Sequence, residues 1–131
     1  MVIVKAARVK VAIIKVVIIK VAIIKVAIMT NNYLYGGMIR LHILHHANEA
    51  PVYGLGIIEE LRHHGYDISS GTLYPLLHGL EKKGYLTSYY QPTGHRDRRM
   101  YNITDEGRNA LTEAKVKVKE LFGELIDDSS P

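Results

Sequence analysis

Residues 68–86 of the chain read ISSGTLYPLLHGLEKKGYL. The serines at its start are residue types that favour the N-terminal cap of a helix. Gly84 then supplies a residue that commonly ends one. Between these signals, leucines recur at the three- and four-residue spacing of a buried helix face: Leu73, Leu76, Leu77 and Leu80. The stretch therefore predicts a short amphipathic helix that runs to Lys83.

Two further helices are predicted on the N-terminal side of this stretch. Asn31 and Asn32 offer N-cap chemistry before an apolar pattern of helical spacing, which Pro51 interrupts. The pattern from Tyr53 to His64 is again helical, and Gly65 follows it. The order of elements up to residue 86 is therefore helix, helix, turn, helix.

A hairpin and a final helix are predicted on the C-terminal side. Tyr85–Gln91 and Arg99–Ile103 are rich in Tyr, Thr, Leu and Ile and flank a basic loop at residues 92–98. Thr104 is placed to cap a last helix with an apolar seam, which in a domain of this size needs a partner surface. The seam comprises Leu111, Val118, Leu121, Phe122 and Leu125.

This order predicts a mainly α fold with a small β-hairpin (α+β), arranged as a winged helix-turn-helix with a C-terminal dimerisation helix. In such a fold the second helix of the motif enters the DNA major groove and the hairpin reaches the backbone or minor groove. Three-helix cores also serve as protein-binding modules, so a winged-helix interaction module without specific DNA binding stays as the alternative.

The sequence also resembles the PadR family of regulators. The resemblance rests on residues 68–86, on APVYGLGIIEEL before them and on RRMYNITDEGRNAL after them, and it covers roughly Met38 to Leu111. It implies a bacterial, cytoplasmic, homodimeric winged-helix repressor that recognises a palindromic operator in double-stranded DNA. Some members of the family respond to phenolic acids or drugs, so the resemblance also allows a small-molecule effector, which the sequence does not identify.

Carried onto matching positions, the resemblance makes Ser69–Leu80 the recognition helix and Tyr85–Ile103 the wing. It also packs the last helix against the first helix of the partner subunit, which adds Leu41 to the interface seam. Gly79 departs from the family, which usually has a basic or polar residue there. The candidate DNA contacts are Ser69, Ser70, Thr72 and Tyr74 on the helix start, Lys82 and Lys83 on its end, and Arg96, Arg98 and Arg99 on the wing.

Residues 1–29 form an N-terminal extension to which we assign no function. From Val11 onward the pentad VAIIK recurs with small variations, and a period of five keeps neither a helix face nor a strand face apolar. Each lysine costs about 2.5–3.5 kcal/mol near a bilayer centre, so we expect no stable membrane insertion, although a membrane-associated peptide is a further alternative. Met29 is a candidate alternative start.

The rest of the chain is predicted to have two parts. The DNA-binding domain spans residues 30–107, and the dimerisation helix and tail span residues 108–131.

Composition narrows the chemistry further. The chain has 131 residues with neither cysteine nor tryptophan, which excludes disulfides, thiolate nucleophiles and Cys-ligated zinc. Six of the 17 basic residues lie within residues 1–30, which contain no acid, so residues 31–131 hold 11 basic against 13 acidic residues, a charge of −2. Bulk basicity therefore does not support DNA binding.

We expect no enzyme activity, no catalytic residue, no metal ligand and no cofactor. His42 and His46 have the i, i+4 spacing of a metal pair, but Ile43 stands where a zinc protease has its glutamate. We therefore expect packing or interface roles for these two and for His45. His63 and His64 are expected to lie in solvent.

Overall fold

The computed structural model describes the backbone of residues 2–126 and the side chains of residues 6–23 and 33–126. It has four helices and one antiparallel hairpin over these residues, in the order that the sequence predicts, so the mainly α fold with a small hairpin is confirmed. The chain divides into two compact units, residues 1–36 and 37–131. The elements are α1 (Val2–Glu49), α2 (Gly54–His63), α3 (Ser70–Lys82), β1 (Leu86–Pro92), β2 (Asp97–Ile103) and α4 (Asp105–Leu125).

Helix α1 begins earlier than the sequence predicts. The pentad repeat is helical, and the helix continues through Asn31 and Asn32, so the predicted start there is wrong. No glycine or proline occurs before Gly36, and valine and isoleucine cost only a few tenths of a kcal/mol each in a helix relative to alanine. The valines and isoleucines from Val9 to Ile23 are all 46–62 % exposed, so this described part of the repeat buries no face, as its period predicts. Within the described residues, no helix is both long and apolar enough to cross a membrane.

Glycine ends both helices of the helix-turn-helix. Gly65 has φ 88° and Gly84 has φ 84°, values that a side chain would strain. After α2 the N–H of Tyr66 donates to Leu61, and after α3 the N–H of Tyr85 donates to Leu80, at 2.8 and 3.0 Å. Each is the six-to-one bond of a Schellman motif. The predicted ends of both helices are therefore correct to within a residue.

The hairpin is longer than the sequence predicts and its loop is shorter. The strands pair from Leu86 with Ile103 to Pro92 with Asp97, which leaves residues 93–96 as the connection in place of the predicted 92–98. Arg98 therefore lies on a strand, as Arg99 does. Val52, between α1 and α2, exchanges two backbone hydrogen bonds with Tyr101 of β2.

Helix α4 begins as predicted, because Thr104 Oγ1 accepts a hydrogen bond from the N–H of Gly107 at 3.0 Å. The described elements of residues 37–126 share one apolar core, to which every helix and both strands contribute. Its members are Ile39, Ile43, Leu44, Ala47, Ile57, Leu61, Ile68, Leu73, Leu77, Leu80, Leu86, Tyr101, Ile103 and Leu111.

Candidate nucleic-acid interface

The start of α3 is exposed and capped. Ser69 Oγ accepts a hydrogen bond from the N–H of Thr72 at 3.3 Å, and Ser69 and Ser70 are both exposed. The first N–H groups of a helix have no partner within it and carry the positive end of its dipole. This turn can therefore bind a phosphate oxygen while the half-buried Thr72 presents a hydroxyl beside it.

Tyr74 both packs and faces solvent. A Cβ placed on Gly54, the first residue of α2, would lie 2.6 Å from the Tyr74 hydroxyl, so the ring rests against the start of that helix. The side chain is still 39 % exposed. The packing of this ring is therefore compatible with the predicted DNA contact, and the close approach explains why a glycine stands at residue 54.

The three arginines of the wing differ in their surroundings. Arg96 is exposed, and only its backbone oxygen is engaged, by Thr93. The Arg98 guanidinium lies 4.0 Å from the centre of the Tyr53 ring, a cation–π contact that joins β2 to the residue before α2. Arg96 is therefore the wing arginine whose charge is most available to a ligand.

Arg99 has partners on two other elements. Its Nη2 lies 3.2 Å from Oε1 of Glu81 on α3, and its Nε donates to Ser88 Oγ on β1 at 3.2 Å. Ser88 in turn donates to Glu81 Oε1 at 3.1 Å. The network joins the wing to the last turn of α3 and keeps Arg99 from acting as a free phosphate ligand.

Tyr101 lies beside this network in the core. Burial raises the pKa of its hydroxyl, and the nearby Arg99 charge opposes that rise. The hydroxyl is buried and has no hydrogen-bond partner among the described residues. It is therefore neutral, and it adds no charge to the wing.

Lys82 and Lys83 are exposed at the far end of α3. At a rise of about 1.5 Å per residue, Lys82 lies about 18 Å along the helix axis from Ser70. The two lysines therefore lie far from the leading turn of α3, at the end of the helix that the contact between Glu81 and Arg99 joins to the wing. Sequence reasoning missed Tyr53, Gly54 and Glu81, whose roles depend on contacts between elements that no local pattern shows.

The predicted interface residues fall into two groups. Leu111 is buried in the core and Leu41 is half-buried. Val118, Leu121, Phe122 and Leu125 are 49–72 % exposed. Leu41, Leu111, Val118, Leu121 and Phe122 line one apolar groove of about 520 Å³ between α1 and α4, together with Met38, His42, His45, Ala114, Lys115 and Lys119.

These elements define a winged helix-turn-helix protein. Residues 43–113 match the family described as the transcriptional regulator PadR-like family. The chain is 47 % identical over 92 residues to the transcriptional regulator Rv3488 of Mycobacterium tuberculosis, covering 70 % of this chain and 86 % of that one. The chain belongs to the PadR-like family of transcriptional regulators, which is not a family of enzymes.

Solved structures agree with this assignment. A PadR family transcriptional regulator from Eggerthella lenta is 31 % identical with a TM-score of 0.66, over 82 % of this chain and 98 % of that one. A transcriptional regulator from Clostridium thermocellum is also 31 % identical, with a TM-score of 0.63 over 75 % of this chain and 98 % of that one.

Proposed function

We propose that the protein is a cytoplasmic repressor that binds a palindromic operator as a homodimer. In this proposal residues 30–107 bind DNA, residues 108–131 contribute the dimer contact, and residues 1–29 have no role in either. The observation that carries the proposal is the fixed wing: Glu81 and Arg99 hold it to α3, whose capped first turn is exposed.

Two kinds of contact follow from the surroundings of each side chain. Ser69, Ser70, Thr72 and Tyr74 lie on the leading turn of α3, which in helix-turn-helix proteins meets base edges and phosphates. Arg96, Arg98, Lys82 and Lys83 are exposed cations, suited to phosphates or to a narrow minor groove. Arg99 moves in this proposal from DNA contact to a positioning role, because its guanidinium is already paired.

The apolar groove supports the homodimer. A small domain rarely leaves such a surface uncovered, and a second copy with the same exposed α4 side chains offers a self-complementary partner. Two copies related by a two-fold axis would present two α3 helices to half-sites about one helical turn, or a multiple of it, apart.

The experiment is fluorescence anisotropy with a duplex from upstream of the protein's own gene and a shuffled duplex of equal length. We expect the original protein to bind the first duplex more tightly than the second. K82A/K83A should bind both duplexes more weakly than the original protein does. K117A, on the exposed face of α4, is the control and should bind like the original protein. Equal affinity for both duplexes would contradict operator recognition. Absence of binding to either would favour the protein-interaction module.

A further inference from the structure

Three imidazoles that are not among the proposed DNA contacts meet where α1 lies beside the end of α2. His42 and His46 lie one turn apart on α1, and His64 directly follows α2. The ring of His64 stacks at 4.6 Å from that of His42 and at 5.6 Å from that of His46, measured between centroids. His64 is exposed, as expected from the sequence, but it is not surrounded by solvent alone.

The nitrogens of this cluster lie close enough together to be considered as ligands of one ion. One nitrogen from each ring lies within 4.8 Å of the other two. In a tetrahedral site with metal–nitrogen bonds of about 2.0 Å, ligand nitrogens lie about 3.3 Å apart. A shared ion therefore requires the side chains to rotate until their nitrogens are closer by up to about 1.5 Å.

His46 gives an independent indication of a missing ligand. Its side chain is only 15 % exposed, and its Nε2 is buried without a hydrogen-bond partner among the described residues. A buried polar atom without a partner is unfavourable, so such an atom usually has a function. The carboxylate Oε2 of Glu60 on α2 lies 3.9 Å from this nitrogen, too far for a hydrogen bond but within reach of a shared ion.

The protonation state also suits a metal. Burial lowers the pKa of His42, and the neighbouring His64, His46 and His45 lower it further. The neutral imidazole is the form that binds a metal ion.

We propose that His42, His46 and His64 bind one transition-metal dication of the Zn²⁺ type, with Glu60 as the fourth ligand. Imidazole nitrogens suit zinc, copper and nickel, and a site with three histidines and one carboxylate favours these over Mg²⁺ or Ca²⁺. A second arrangement, His45, His46 and Glu49, shares His46. Its outer members are 51 % and 62 % exposed and already face each other at 3.3 Å, which makes it the weaker site.

The test is a titration of the full-length protein, purified metal-free, with Zn²⁺ alone followed by calorimetry, and with Co²⁺ followed by visible absorption. We expect one equivalent per chain and the strong absorption of tetrahedral cobalt. H64Q should weaken binding at least ten-fold, because it removes a direct ligand, and E60Q should weaken it less. H63Q removes the neighbouring exposed histidine and should bind like the original protein.

Three outcomes would overturn the site: no binding to the original protein, equal losses in H63Q and H64Q, or a loss in H45Q as large as in H64Q. Circular dichroism and the midpoint of thermal unfolding without metal show whether H64Q is folded. Zn²⁺ should raise that midpoint clearly less in H64Q than in the original protein and in H63Q, because a weaker site gives less stabilisation at the same zinc concentration. A rise in H64Q equal to that in the original protein would also contradict the assignment.

The position of the ion suggests regulation, a consequence that rests on the proposed function. A bound ion would connect α1 to the end of α2. His64 lies five residues before Ser69, the cap of α3, and His42 also lines the groove between α1 and α4. Operator affinity should therefore change with Zn²⁺ in the original protein and not in H64Q. Zinc binding with unchanged operator affinity would refute the regulation alone, and zinc binding without any operator binding would refute the proposed function alone.

Discussion

Nη2 of Arg99 lies 3.2 Å from Oε1 and 3.4 Å from Oε2 of Glu81, so one guanidinium nitrogen contacts both oxygens of a carboxylate on another element. The two residues are 18 positions apart and lie on β2 and the last turn of α3. Ser88 on β1 bonds to both partners, so both strands of the wing are fixed to the helix. The orientation of the wing is therefore built into the single chain, before any DNA is bound.

The coupling between these partners can be measured with a double-mutant cycle. We expect E81A, R99A and the double variant to give a coupling of about 0.5–1 kcal/mol in the free energy of unfolding, because the two side chains are 31 % and 37 % exposed and solvent weakens the pair. The control is the pair Asp105 and Arg108, three residues apart on α4, with side chains 92 % and 49 % exposed. Its coupling should be about 0.2–0.5 kcal/mol. A smaller coupling at Glu81 than at Asp105 would contradict the assigned role of the network.

Two helical glycines should respond to alanine in opposite directions. A Cβ on Gly107 would clash with the backbone oxygen of Tyr85 and lie 2.8 Å from Cγ1 of Ile103, whereas a Cβ on Gly79 would meet nothing within 4 Å. G107A should therefore lower the free energy of unfolding by about 1–3 kcal/mol. G79A should raise it by up to about 1 kcal/mol, because alanine is the better helix former. Urea denaturation of both variants measures the difference, and destabilisation by G79A would show that its helix position is not open.

Local chemistry was enough to predict the ends of most elements. Gly65, Gly84 and Thr104 each act through their own backbone and the few residues beside it, so their roles can be inferred from sequence alone. The predicted start of α1 at Asn31 and Asn32 was wrong, and the reason is also local. An asparagine can cap a helix only where the residues before it are not helical. The repeat before Asn31 contains no glycine or proline that would end a helix.

The wing shows where sequence reasoning ends. Arg98 was predicted to lie in a basic loop and Arg99 at the start of a strand, both as DNA contacts, but Arg98 contacts Tyr53 and Arg99 contacts Glu81. These partners lie outside the hairpin. The histidine cluster was also only partly predictable. The i, i+4 spacing of His42 and His46 can be read from the sequence, whereas the approach of His64 depends on how α2 packs on α1. Contacts between distant residues follow from tertiary packing, which no local period encodes.

The proposed dimer contact should be sensitive to charges on one face of α4. L121D/L125D places two charges in the exposed apolar seam and should yield monomers in sedimentation velocity, because burying those carboxylates without partners is costly. V116D is the matched control, since Val116 is 65 % exposed on the same helix but does not line the groove. A double variant that stays fully dimeric would reject this interface, and so would dissociation of V116D to the same extent.

The pentad repeat should be dispensable. The described side chains from residue 6 to 23 are all exposed, and the first buried one among the described side chains is that of Ile39. A chain that starts at Met29 should therefore keep the midpoint of thermal unfolding and the DNA affinity of the full chain. A large fall in the midpoint would show that the repeat contributes to the fold, and a fall in affinity alone would give its lysines a role in DNA binding.

The wing and the recognition helix should contribute differently to DNA binding. Arg96 is exposed on a short loop without a side-chain contact among the described residues, so it should neutralise a phosphate without choosing a sequence. R96A should weaken binding to operator and shuffled DNA alike and should reduce the salt slope by about one. R99A acts through the position of the wing, so it should weaken binding with a smaller change in slope.

Thr72 should affect discrimination instead. Its hydroxyl lies on the first turn of α3, where loss of a base contact costs about 1–3 kcal/mol at one operator position. Ser69 caps the helix through the backbone N–H of Thr72, so T72V keeps that bond. It replaces the Thr72 hydroxyl, together with its 3.4 Å hydrogen bond to Ser69 Oγ, with a methyl group. S69A is the control that removes the cap, and it should lower stability as well as affinity.

Salt titrations of each variant with both duplexes separate these effects, because a phosphate contact changes the slope and a base contact changes the ratio of the two affinities. If R96A and T72V change both quantities equally, the two elements do not divide positioning from specificity.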